Sequence, residues 1–167
     1  MKRLILTRHA KSSWDYPLTP DHDRPLNERG KIAAADLGQW LASRGYVPDK
    51  VLCSDSVRTR ATFSGIAPSL PATPILELKP ALYQAGPDVM LAVLQNAMAD
   101  CVMMIGHNPG IAEFAERLVA NPPAHSEFAR YPTGATLVAD FVIDSWAELA
   151  WGTGVVHDFM IPREIVS

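Results

Sequence analysis

The chain has 167 residues, 48% of them hydrophobic and 20% charged, with a formal net charge of −3. That length and composition fit one globular domain over residues 1–167, large enough to bury a full core. The slightly acidic balance supplies no broad basic field for nucleic acid, so any anionic substrate must be gripped by a local cluster of cations.

Leu4-Ile5-Leu6 reads as a buried strand that runs straight into Thr7-Arg8-His9-Ala10. Its apolar run is too short for a secretory h-region, and no run approaches the roughly 20 apolar residues that span a bilayer. A cytoplasmic protein without a membrane partner is expected. A polar, proline-bearing loop follows from Lys11 to Leu26. Asn27 then serves as an N-cap, with Ala33, Leu37, Trp40 and Leu41 on one helical face and Gly45 closing the helix.

Val51-Leu52-Cys53 is a short buried strand. Ser54-Asp55-Ser56 caps a helix over Val57 to Ala67, which Pro68 ends. Ile75-Leu76-Glu77 is a further short strand inside a connector. Gly86-Pro87 opens another helix with Met90, Val93, Leu94 and Ala97 on one face. Cys101 to Ile105 is the second strong strand and leads into Gly106-His107-Asn108-Pro109-Gly110. The helix after Pro109 turns Ile111, Phe114, Ala115 and Leu118 inward until Pro122-Pro123 breaks it.

Ala135 to Ile143 and Trp146 to Phe159 are β-rich, with a turn at Asp144-Ser145 and interruptions at Gly152 and Gly154. They read as a hairpin that adds antiparallel strands to an otherwise parallel sheet. The predicted fold is α/β: a three-layer α/β/α sandwich with a mostly parallel central sheet and a C-terminal antiparallel addition. Cys53 and Cys101 fall in apolar strands as buried free thiols, and neither a disulfide framework nor a zinc site is indicated.

Two strands thus end in a histidine at the edge where open α/β sheets bind ligands. At the first end, Arg8 can grip phosphate oxygens bidentately and neutral His9 can attack phosphorus; alternatively both are surface residues. At the second, a glycine-rich turn with a structural His107 competes with a functional reading. In the latter, Pro109 sits in the first turn of a helix whose N–H groups favour an anion, and a protonated His107 stabilises charge built up during transfer. Arg58, in a first helical turn near a strand end, is placed to reach the same pocket, whereas Arg60 points to another face and reads as solvated.

Taken together, Arg8 through Trp14, Asp23 through Gly30, Ser54 through Thr62, Gly106 through Gly110 and Tyr131-Pro132-Thr133-Gly134-Ala135 resemble the histidine phosphatase superfamily, in its small SixA-type phosphohistidine phosphatase branch. The resemblance covers nearly the whole chain and implies a phosphoglycerate mutase-like fold. Ala10 departs from the glycine that usually follows the Arg-His step. The resemblance implies that His9 is the nucleophile, and that Arg8, Arg58, His107 and Asn108 complete the phosphate pocket. No metal or other cofactor is implied.

Arg24 either lines the pocket entrance or pairs with Asp21 or Asp23. His22, His125 and His157 read as surface or loop residues. Asp15, Asp21 and Asp23 would disfavour highly anionic substrates, or simply cap the loop and pair with Arg24 and Lys11. A leaving-group acid is not evident: Asp15 and Glu77 are the candidates, or there is none. Phosphohistidine has a labile P–N bond whose ring nitrogen can be protonated in solution, so a pocket without an acid favours phosphoramidates or activated esters, and the small domain, without insertions over the site, suits a phosphorylated side chain of another protein. The remaining readings are a general small-molecule phosphomonoesterase and a non-catalytic phosphate-binding module. The sequence leaves the oligomeric state open.

Overall fold

The computed structural model describes residues 1–165. Six strands, β1 (Lys2–Arg8), β2 (Lys50–Cys53), β3 (Ile75–Leu78), β4 (Cys101–Gly106), β5 (Thr136–Phe141) and β6 (Val155–Met160), form one sheet in the order β3-β2-β4-β1-β5-β6. The pairings from β3 across to β1 are parallel. β5 runs antiparallel to β1, and β6 antiparallel to β5. The helices are α1 (Glu28–Arg44), α2 (Val57–Ile66), α3 (Pro87–Gln95) and α4 (Gly110–Leu118).

Apolar side chains on both faces of the central strands explain the unbroken hydrophobic runs. Leu4, Leu6, Val102 and Met104 point to one face, where Met90 and Leu94 of α3 and Ile111, Phe114 and Leu118 of α4 cover them. Ile5, Met103 and Ile105 point to the other, under Leu37 and Leu41 of α1 and Phe63 and Ile66 of α2. The result is the expected three layers, matched to the sheet's period of two.

Local signals start the helices as read. The Asn27 side chain accepts from the Gly30 N–H at 2.8 Å, and Gly45 ends α1 in the left-handed region at φ 73°. Ser56 caps α2, accepting from the Thr59 N–H. Gly30 has a second reason to be glycine. A Cβ there would stand 2.1 Å from the Lys11 carbonyl oxygen, so only glycine lets α1 press against the segment that follows His9.

Four expectations need correction. Ala34 rather than Ala33 faces the core from α1, because the buried stripe is Ala34, Leu37, Gly38 and Leu41. α4 stops at Leu118, ahead of the prolines, because Val119 turns extended to bridge to Gly154. Pro109 stands before α4 as its N-cap rather than inside its first turn. Trp146 starts no strand: Trp146–Glu148 is a 3-10 turn capped by Ser145 and Glu148, with the Trp146 indole buried and donating to the Ala99 carbonyl at 2.6 Å. β5 and β6 are therefore joined by a folded segment, not a tight turn.

Candidate active site

Sheet register assembles the site. Arg8 of β1 lies opposite Gly106 of β4, and Cys53 of β2 opposite Ile105. His9, Ser54 and His107 are the next residues of their strands, so all three leave the same sheet edge side by side. The main chain continues the ladder one step further, with His9 N–H donating to the Gly106 carbonyl and Ser54 N–H to the Ile105 carbonyl, each at 3.1 Å.

His9 and His107 are 6% and 5% exposed, and their ring centroids are 5.3 Å apart. The His9 Nδ1 lies 2.7 Å from the Ala10 carbonyl oxygen. A carbonyl can only accept, so Nδ1 carries the proton and Nε2 keeps its lone pair. Burial, and then the charges of Arg8, Arg58 and His107, lower the His9 pKa to about 3, against the raising effect of the Ala10 carbonyl. The imidazole is therefore neutral near pH 7.

The Ala10 carbonyl is fixed in turn. The Ala10 N–H donates to Thr62 Oγ1 at 2.9 Å, and the Thr62 hydroxyl donates to the Arg58 carbonyl at 2.7 Å. Ala10 is buried among Leu26, Ala34 and Ala61, and it is absent from the positive-φ residues. Its methyl group fills an apolar niche and the backbone there needs no glycine, which explains how the chain carries Ala at this step.

Arg8 donates through Nη1 to the Tyr131 carbonyl at 3.3 Å, while its buried Nε has no partner among the described residues. An unsatisfied buried guanidinium N–H is costly unless an anion completes it. Arg58 places Nη2 3.4 Å from His107 Nδ1, and His107 Nε2 lies 2.8 Å from Ser54 Oγ. With Arg58 as donor, Nδ1 accepts and the proton sits on Nε2, facing the serine oxygen. Burial, then Arg58 and Arg8, lower the His107 pKa to about 4. Near pH 7 His107 is therefore neutral, not the protonated group expected from the sequence; a bound dianion would favour its charged form.

The structure thus brings His9, His107, Arg8 and Arg58 together. The Asn108 amide donates to the Arg130 and Tyr131 carbonyls at 2.8 and 3.1 Å, sharing the latter with Arg8, and its oxygen accepts from the Ala112 N–H. At the helix end, the Ile111 and Glu113 N–H groups donate to the His107 and Pro109 carbonyls and the Ala112 N–H to the Asn108 side chain.

Arg24 pairs with Asp21, which also holds Arg58, and stacks over Trp14, 3.6 Å from the ring centroid. Arg60 is exposed, as read. Neither candidate acid is buried. Asp15 is exposed on the loop. Glu77 is held between Lys50 at 2.9 Å and Lys79 at 3.3 Å, and these hydrogen bonds, that to Lys50 first, lower its pKa.

Several residues of the site escaped the sequence reading. Ser54 looked like a helix cap and instead holds His107. Tyr131 lies in a quoted motif; its buried hydroxyl donates to the Leu6 carbonyl at 2.5 Å and accepts from the Leu137 N–H, which fixes the carbonyl that receives Arg8. Tyr83 meets the His107 ring edge-on at 5.3 Å. A separate groove of about 560 Å³ lies beside the site, between Lys11, Arg29, Ile32, Pro132, Pro162 and Arg163, and none of the four clustered residues lines it.

Comparison with known proteins shows the family. Residues 4–82 match the model of the histidine phosphatase superfamily (branch 1). An uncharacterized chloroplastic protein of Arabidopsis thaliana is 38% identical over 70% of this chain, which spans 59% of the plant protein's length. An uncharacterized Mycobacterium tuberculosis protein is 30% identical over 93% of this chain and 99% of its own. A solved structure from Nakamurella multipartitia, assigned as a phosphohistidine phosphatase SixA, superposes with a TM-score of 0.80 at 30% identity, covering 96% of each chain.

Proposed function

The chain belongs to the histidine phosphatase superfamily, in its SixA-like branch, and from that premise we propose that it is a metal-independent phosphohistidine phosphatase acting on phosphorylated protein side chains. The observation that carries this reading is the His9 ring: the Ala10 carbonyl holds Nδ1–H, so the free lone pair is on Nε2, among cationic side chains.

In the first step, His9 Nε2 attacks phosphorus in line, forming a new N–P bond as the substrate P–N bond breaks. The electron pair of the broken bond returns to the departing imidazole, whose nitrogen takes its proton from solvent. Water then attacks phosphorus of the phosphorylated His9 and gives its proton to solvent. Inorganic phosphate leaves and Nε2 regains its lone pair. Arg8, Arg58 and His107 supply positioning and charge, which is most of what a loose phosphoryl transfer requires.

The binding of Glu77 to two lysines and the exposure of Asp15 support a site with no dedicated leaving-group acid. An alkoxide leaves poorly without such a proton, whereas imidazole does not need one from the enzyme. A general phosphomonoesterase is the second reading, since the open pocket would also admit a small phosphate compound.

The test compares turnover of a phosphohistidine-bearing protein with that of an alkyl phosphate, and maps the labelled residue after brief exposure to a phosphoramidate. Faster turnover of phosphohistidine, by about 100-fold or more given the usual contribution of acid catalysis, with label on His9, is expected. Equal rates on both substrates would reject the substrate assignment, and label on another residue would reject the mechanism.

A further inference from the structure

Asp21 holds Arg58 at the pocket, although the sequence marks it only as a loop acid and a candidate partner of Arg24. It opens the short turn Asp21–Asp23 within the segment between Lys11 and Leu26. Its carboxylate Oδ2 accepts from Arg58 Nη2 at 3.0 Å and from the Tyr83 hydroxyl at 2.5 Å, and its Oδ1 accepts from Arg24. Its backbone carbonyl accepts from Arg58 Nη1 at 2.6 Å. The same Nη2 that meets Asp21 stands 3.4 Å from His107 Nδ1.

A resident anion therefore occupies the guanidinium that a phosphoryl oxygen would use. Both carboxylate oxygens are already acceptors, which makes the group a holder of cations and not a proton donor. We propose that Asp21 is the positioning residue of this pocket: it fixes Arg58 beside His107 and competes with phosphate oxygens for the same donors. The proposal rests on the phosphatase reading above.

The physical logic is differential binding. A guanidinium free to swing would follow the phosphoryl group in the ground state and clamp product phosphate, which raises affinity without raising the rate. Held on two sides by Asp21, it contributes most where charge develops during transfer. The opposing carboxylate also keeps the cluster of cations from binding product too tightly.

The experiment titrates inorganic phosphate calorimetrically into the full chain and its Asp21→Asn and Asp21→Glu variants, alongside kcat, KM and the pH profile. Asp21→Asn removes the competing charge. It should bind phosphate about tenfold more tightly while kcat falls about tenfold, with the shape of the pH profile unchanged. Asp21→Glu keeps the charge on a longer stem, so phosphate affinity should stay within about twofold of the parent while kcat falls. This variant carries the test if Asp21→Asn does not fold.

Weaker phosphate binding in Asp21→Asn together with a lower Tm would show a structural prop and overturn the proposal. So would loss of one limb of the pH profile at unchanged phosphate affinity, which marks a proton donor. Unchanged kcat in Asp21→Glu would overturn the positioning role. Should the parent fail to turn over phosphohistidine, the substrate assignment falls, but the phosphate titration, with kinetics on an aryl phosphate, still decides the role of Asp21.

Discussion

β1 and β4 are neighbours in the sheet, and each delivers one histidine to the same pocket from the same edge. Their surroundings differ. His9 has one ring nitrogen held by a main-chain carbonyl and the other free. His107 has both nitrogens held by side chains, Ser54 on one and Arg58 on the other. Burial comes first in lowering both pKa values, to about 3 and about 4, so depth in the protein does not separate the two roles. The partners do. A histidine tied to the backbone on one side is aimed and still nucleophilic, while one tied on both sides can only donate, accept and hold a neighbour.

The sharpest way to break that comparison is to remove each ring in turn. His9→Ala should abolish turnover and all covalent labelling. His107→Ala should lower kcat by about 10²- to 10³-fold, the usual cost of losing one electrostatic group at the transition state, since a bound dianion favours charged His107, yet still accept label on His9. Acid-quench trapping with radiolabelled phosphoramidate checks both. Label retained in His9→Ala, or lost altogether in His107→Ala, would contradict the division of labour.

A gentler change sharpens the comparison at the serine. Ser54→Ala removes the acceptor on His107 Nε2 and leaves His9 and its carbonyl untouched. The expected loss in kcat is roughly tenfold, the worth of one buried hydrogen bond. KM should be little changed, and a steady-state series on one substrate decides this.

A last effect is on stability. Both histidines titrate near 6.5 when unfolded and at about 3 and about 4 when folded. Between those values the unfolded chain binds more protons than the native one, so stability should fall as pH drops from about 6.5 towards about 4. Thermal melts across that window should show Tm declining with pH. His9→Ala and His107→Ala should each flatten part of the slope, and a slope unaltered in both variants would mean that neither histidine is kept neutral by the fold.

Much of this was legible in the chain because local chemistry carries it. Leu4-Ile5-Leu6 and Val102-Met103-Met104-Ile105 could hardly be other than buried strands, and Asn27, Gly45 and Ser56 marked helix ends by side chains that bond their own backbone. Arg8, His9, Arg58 and His107 stood out because each follows or flanks a strand end. Trp146 was misread because an aromatic in a β-rich stretch looks the same whether it pairs in a sheet or plugs a core. The partners of Asn108 were not legible: an amide next to a histidine gives no hint that it binds the Arg130 and Tyr131 carbonyls.

The sequence by itself determined the alternation of strands and helices, the apolar faces and the identity of the strand-end histidines and arginines, since these depend on neighbours within a few positions. Only the tertiary structure decided which histidine keeps a free nitrogen, that Ser54 rather than a helix end holds His107, and that Asp21 reaches Arg58. Those pairings join residues separated by 53 and 37 positions. They exist only because the sheet register brings strand ends together and because a buried hydrogen-bonding group takes whichever partner the packing leaves within about 3 Å.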